Sequence, residues 1–129
     1  MAVSVDGYAA SWNGRAWSAP VSVVNTSYGF SSLSCPAKGF CVALSDTTVG
    51  YYRNGVWSAT QGVDYGNDVS CPDTSFCLSV DVHADSFTWD GSSWSAPVSM
   101  GNVEPVAVSC PTKTFCIAVG DSAQAETYK

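Results

Sequence analysis

Ser70-Cys71-Pro72-Asp73-Thr74-Ser75-Phe76-Cys77 is one of three copies of a single pattern, with Ser34-Cys35-Pro36-Ala37-Lys38-Gly39-Phe40-Cys41 before it and Ser109-Cys110-Pro111-Thr112-Lys113-Thr114-Phe115-Cys116 after it. The copies lie 36 and 39 residues apart, the spacing of a supersecondary unit in a repeat protein. All 6 cysteines fall inside them. Each pair reads as a disulfide across the mouth of a β-hairpin: Cys35 with Cys41, Cys71 with Cys77 and Cys110 with Cys116. The proline and the three small or polar residues after it are expected to make the turn. Zinc is the competing use of paired thiols, but five intervening residues exceed the usual two to four, so no metal or cofactor is expected.

A repeat of this length is too small to be stable alone, so neighbouring units must supply its core. Ser, Thr, Val, Gly and aromatic residues abound, only 12 % of residues are charged, and no window shows a sustained helical period. The chain therefore reads as all-β. Eleven acidic against five basic residues give a net charge of -6 and leave no basic patch for a phosphate backbone, which excludes nucleic acid as a partner. Regularly spaced cysteines point to an oxidising compartment, hence a secreted or cell-surface protein. No apolar run approaches a membrane span, and the first residues lack the n-region and h-region of a signal peptide.

Aligned on the cysteines, each unit holds four strand-like segments, A to D, which in the central unit are Asn67 to Pro72, Phe76 to Val82, Ser86 to Asp90 and Trp94 to Met100. Segments C and D are joined at Asn13-Gly14, Asn54-Gly55 and Asp90-Gly91, dipeptides that tolerate positive φ and favour tight hairpins. A Trp-Ser pair follows each turn, at Trp17-Ser18, Trp57-Ser58 and Trp94-Ser95. Four antiparallel strands closed by tight hairpins is the anatomy of a β-propeller blade. Three repeats of four strands also describe a β-trefoil, which stands as the alternative.

Residues 1–13 and 117–129 both align with 78–90, so the units divide as a partial B-C-D blade over 1–27, full blades over 28–64 and 65–103, and a partial A-B-C blade over 104–129. About three and a half blades, incomplete at both ends, leave unpaired edges that something must cover. A homo-oligomer is expected, with a dimer preferred, in which residues 16–24 of one copy complete the last sheet of another.

Cys-Pro-x-x-x-Phe-Cys followed by an Asn/Asp-Gly and Trp-Ser hairpin resembles bacterial secreted β-propeller repeats. The turn Trp89-Asp90-Gly91-Ser92-Ser93-Trp94 is similar to the Trp-Asp-Gly-x-x-Trp hairpin of short-chain fucose-type propeller lectins, which assemble rings from small subunits. It is also similar to the Asp-box turn of sialidase-like propellers, without the residue that box places between its Asp and Gly. The resemblance implies a propeller fold and glycan binding, although the Arg and Glu that read the sugar in those lectins are not repeated here.

Catalysis finds little support. His83 is the one histidine and alternates with Asp81 and Asp85, which reads as a solvated turn rather than a metal site. Arg15 and Arg53 are too few for a sialidase, and no Ser-His-Asp set can be nominated. The aromatics are the better lead. Trp17, Trp57 and Trp94 open segment D and are expected to pack between blades. Trp12, Arg53, Trp89 and Tyr128 stand directly before the turn and read as equivalent positions where a sugar could stack, with Asn13, Asn54 and Asp90 supplying hydrogen bonds. The expected function is a multivalent carbohydrate-binding module, the alternative a protein-interaction scaffold. Asn25-Thr26-Ser27 matches a glycosylation sequon and reads as a loop.

Overall fold

The structure, a computed structural model, describes residues 1–25 and 29–129. Thr26 and Ser27 of the sequon lie outside the described residues. The chain forms four antiparallel sheets in which each strand pairs with the next in sequence. The first holds β1 (Ala2–Val3), β2 (Tyr8–Ala10) and β3 (Val21–Ser22). The second holds β4 (Ser32–Ala37), β5 (Phe40–Ser45), β6 (Thr48–Arg53) and β7 (Val56–Gln61). The third holds β8 (Asp68–Asp73), β9 (Phe76–Val80), β10 (Asp85–Trp89) and β11 (Val98–Ser99), and the fourth β12 (Pro105–Thr112), β13 (Phe115–Gly120) and β14 (Ala125–Tyr128). Four-stranded meanders of this kind are propeller blades, and the trefoil alternative falls away.

The three disulfides pair as the spacing predicts, each across Cα atoms 4.1 Å apart. The turn is tighter than expected. Ala37 pairs with Phe40, Asp73 with Phe76 and Thr112 with Phe115, so only two residues turn the chain. Cys-Pro belongs instead to the strand, at a register shift after Ser34, Ser70 and Ser109. Proline has no N–H for the ladder, and a bulge is where a strand tolerates that loss.

Proline also sets the length of the outer strands. Val21–Ser22 and Val98–Ser99 are two-residue strands preceded by Pro20 and Pro97, whereas β7 has Thr60 at the same distance from its Trp-Ser and runs six residues. The expected segment D, Trp94 to Met100, is accordingly reduced to β11 and an isolated bridge between Trp89 and Trp94.

Consecutive sheets meet face to face. Val42 and Leu44 of β5 and Val49 of β6 pack with Val69, Cys71, Cys77 and Trp89 of the third sheet, and Leu78 packs with Cys110 and Cys116 of the fourth. Along the inner strands, Ser34 Oγ accepts the Cys71 N–H and Ser70 Oγ accepts the Cys110 N–H, both at 2.9 Å. The serine of Ser-Cys-Pro thus satisfies an edge donor of the next sheet. The short strand β3 is hydrogen-bonded in its own sheet through Tyr8–Ser22 and Ala9–Val21, so donating residues 16–24 elsewhere would first break that pairing.

Candidate functional site

The hairpins between the third and fourth segments of each unit carry the residues singled out for binding, and they are of two kinds. Asn13 Oδ1 accepts the N–H groups of Arg15 and Ala16, each at 2.9 Å, and Asp90 Oδ1 accepts those of Ser92 and Ser93, each at 2.8 Å. These side chains close Asx turns on their own backbone. The N–H donors of Ser93 and Ser92 hold the Asp90 carboxyl down at about 2. In the second sheet Arg53 pairs with Val56, and the turn is Asn54-Gly55 alone, both at positive φ, 48° and 97°.

That difference shifts the register by one. Cys77 stands opposite Trp89 and Cys116 opposite Tyr128, but Cys41 stands opposite Tyr52. Tyr52, not Arg53, is the equivalent of Trp89, and its ring meets Trp57 at 5.6 Å as Trp89 meets Trp94 at 5.8 Å and Trp12 meets Trp17 at 5.7 Å. Arg53 instead lies over the rings of Tyr51 and Phe40 at 4.7 and 5.6 Å. Position directly before the Asn-Gly or Asp-Gly turn groups Arg53 with Trp89, whereas the Tyr52-x-x-x-x-Trp57 spacing gives the true register.

The register also decides what the aromatics touch. Trp89 is 3 % exposed, packs on Tyr51 of the preceding sheet at 5.2 Å, and leaves its Nε1 without a hydrogen-bond partner among the described residues. No sugar face can stack on it. Tyr128 packs on Phe76 of the preceding sheet at 5.8 Å. Trp94 stacks on Tyr65 at 5.4 Å and donates its Nε1–H to Tyr51 Oη across the seam at 2.8 Å, and Trp57 stacks on Phe30 at 6.1 Å. Burial pushes the Tyr51 hydroxyl above its ordinary value. Both aromatic sets therefore serve the contact of each sheet with the one before it. At the equivalent places in the first sheet, Trp12 and Trp17 are 50 % and 54 % exposed.

The fourth sheet shows the opposite face to solvent. Ile117 occupies the place of Val42 and Leu78, which are 0 % and 3 % exposed under the following sheet, yet Ile117 is 39 % exposed, with Phe115 and Val119 exposed beside it. Of the 13 large apolar side chains exposed among the described residues, all but Val56, Val82 and Val98 lie in the first and fourth sheets or in the turns of the first. Such concentration marks a contact surface rather than scattered exposure. A hollow of about 410 Å³ lies on the first sheet, lined by Ala2, Val3, Tyr8, Ala10 and Pro20 among others. The corresponding place over Gly50 is filled by Phe30, whose ring stands 2.7 Å from where a Cβ would be.

His83 keeps different company from that expected. Asp64, from the stretch between β7 and β8, joins Asp81 and His83 with ligating atoms within 4.8 Å, while Asp85 meets Asp81 through its backbone, its N–H donated to Asp81 Oδ1 at 2.9 Å and its carbonyl accepting the Asp81 N–H at 3.0 Å. Asp81 also accepts the His83 N–H at 2.9 Å, so its buried carboxylate caps the β9–β10 turn. No described helix is long and apolar enough to cross a membrane. The three disulfides are those of a protein folded in an oxidising environment.

No protein-family model and no curated protein matches the sequence. Among solved structures the chain is similar to YCF48 bound to D1 peptide, with a TM-score of 0.66, 18 % identity, 78 % of this chain covered and 37 % of that one. The chain thus spans little more than a third of that protein's length, and the likeness is one of fold: a β-propeller.

Proposed function

We propose that this propeller module is a non-enzymatic protein-binding unit, working in a secreted or cell-surface setting, whose contact surface is the aromatic face of its first sheet. One observation carries the reading: Trp12 and Trp17 stand half exposed on the first unit, which also carries an apolar hollow lined by Tyr8, Ala10 and Pro20, while the equivalent Trp89 is buried in a seam. An exposed aromatic and apolar face of this kind suits the apolar side chains of a polypeptide. The YCF48 structure, in which a propeller holds a D1 peptide, supports the same reading. The lectin likeness rests on the Trp89 to Trp94 turn, whose Asp90 spends its Oδ1 on its own backbone.

Parallel peptide and glycan arrays probed with the wild type and with Trp12→Ala test this. The expected result is binding to apolar, aromatic-containing peptides, weakened at least tenfold in Trp12→Ala, the loss of a central aromatic anchor. Saturable glycan binding that depends on Trp12, with no peptide bound, would restore the carbohydrate reading.

A further inference from the structure

We propose that the partner of the first-sheet face is a second copy of this chain, docked head to tail so that the fourth sheet of one copy covers the first sheet of the next. This rests on the protein-binding reading above and names its partner. The chain itself contains the complementary pair of surfaces twice over. Where the second sheet meets the third, Phe40, Val42 and Leu44 pack against Trp89 and its neighbours; where the third meets the fourth, Phe76 and Leu78 pack against Tyr128 and the Cys110–Cys116 bridge. Phe115, Ile117 and Val119 stand in the places of Phe40, Val42 and Leu44, and Trp12 stands in the place of Trp89. The uncovered fourth-sheet face and the uncovered first-sheet face are therefore the two halves of one seam. Docking places Phe115 of one copy against Trp12 of the other, as Phe76 lies against Tyr128.

The contact is heterologous, since the two faces differ, and that gives it a signature no symmetric dimer shares. Sedimentation velocity of the 129-residue chain should show a mass that rises with concentration to at least two chains. Trp12→Asp and Ile117→Asp should each remain monomeric, with association weakened at least tenfold and melting near the wild type, since both side chains are substantially exposed. Mixed together they should form a one-to-one dimer and nothing larger, because one intact face survives on each. Trp12→Ala and Phe115→Ala repeat the test should either charge disturb its sheet. A wild type that stays monomeric into the hundreds of micromolar overturns the proposal, as does association of the wild type without rescue in the mixture. A monomer that still takes up peptide through Trp12 overturns only the second copy; glycan binding at Trp12 without peptide binding overturns the protein-binding reading itself.

Discussion

Trp89→Ala should unfold the protein more readily than any other tryptophan truncation. Truncating a large buried aromatic costs about 3–5 kcal/mol through lost transfer energy and the cavity left behind. At 3 % exposure Trp89 belongs with such residues, and it faces Tyr51, Trp94 and the β5 side chains. Its Nε1 makes no hydrogen bond among the described residues, so no bond is lost, and removal of a stranded donor returns about 1 kcal/mol. The expected net cost is about 3 kcal/mol, or roughly a 10 °C fall in Tm for a domain of this size. Trp12→Ala, by contrast, removes a half-exposed ring that touches Trp17 at 5.7 Å and should cost about 1 kcal/mol. Urea unfolding followed by far-ultraviolet circular dichroism compares the two at equal m-value. Equal losses, or a loss below about 1 kcal/mol for Trp89→Ala, would refute the assignment of this residue to the seam.

Replacing Cys71 and Cys77 together by serine should lower stability by about 2 kcal/mol, the entropic worth of a short closed loop, read from the urea midpoint. Gly50→Ala should cost about 1–3 kcal/mol, because the added Cβ meets the Phe30 ring at 2.7 Å, whereas Gly62→Ala meets no atom within 4 Å and suffers only from its positive φ. The Asp90 carboxyl is held below its ordinary 3.8, at about 2, so its contribution to stability is complete above the unfolded value and is lost as pH falls through about 2. Acid titration of Asp90→Asn should accordingly show less dependence on pH between those values than the wild type.

Most of the fold was legible because it is written in residues with narrow physical options. Paired cysteines six apart, proline beside each, and Asn-Gly or Asp-Gly turns leave few alternatives to disulfide-closed hairpins in a meander. The proline code for outer strand length was equally present, in Pro20, Thr60 and Pro97, but needs the knowledge that these strands lie at a sheet edge. The site was less legible for a specific reason. The β5–β6 turn is one residue shorter than the β9–β10 turn, and the β6–β7 turn places its Asn-Gly one residue later, so local turn chemistry and cross-strand register give different alignments at Arg53. The pairing of Cys41 with Tyr52 chooses between them, in agreement with the five-residue step from Tyr52 to Trp57 that matches Trp12 to Trp17 and Trp89 to Trp94. Nor does a sequence say which aromatic faces a neighbouring sheet: Trp12 and Trp89 stand at the same place before an Asx-Gly turn, five residues ahead of a second tryptophan, and are opposite in exposure.

Hydroxyl-radical footprinting of tryptophan and phenylalanine side chains, run from dilute to concentrated protein, reads that difference directly. In dilute protein Trp12, Trp17 and Phe115 should be labelled readily while Trp89 is spared; on concentration Trp12 and Phe115 should lose their labelling together. Labelling of Trp89 at the rate of Trp12, or protection that grows at one end of the chain and not the other, would contradict the assignment of these faces to a single seam.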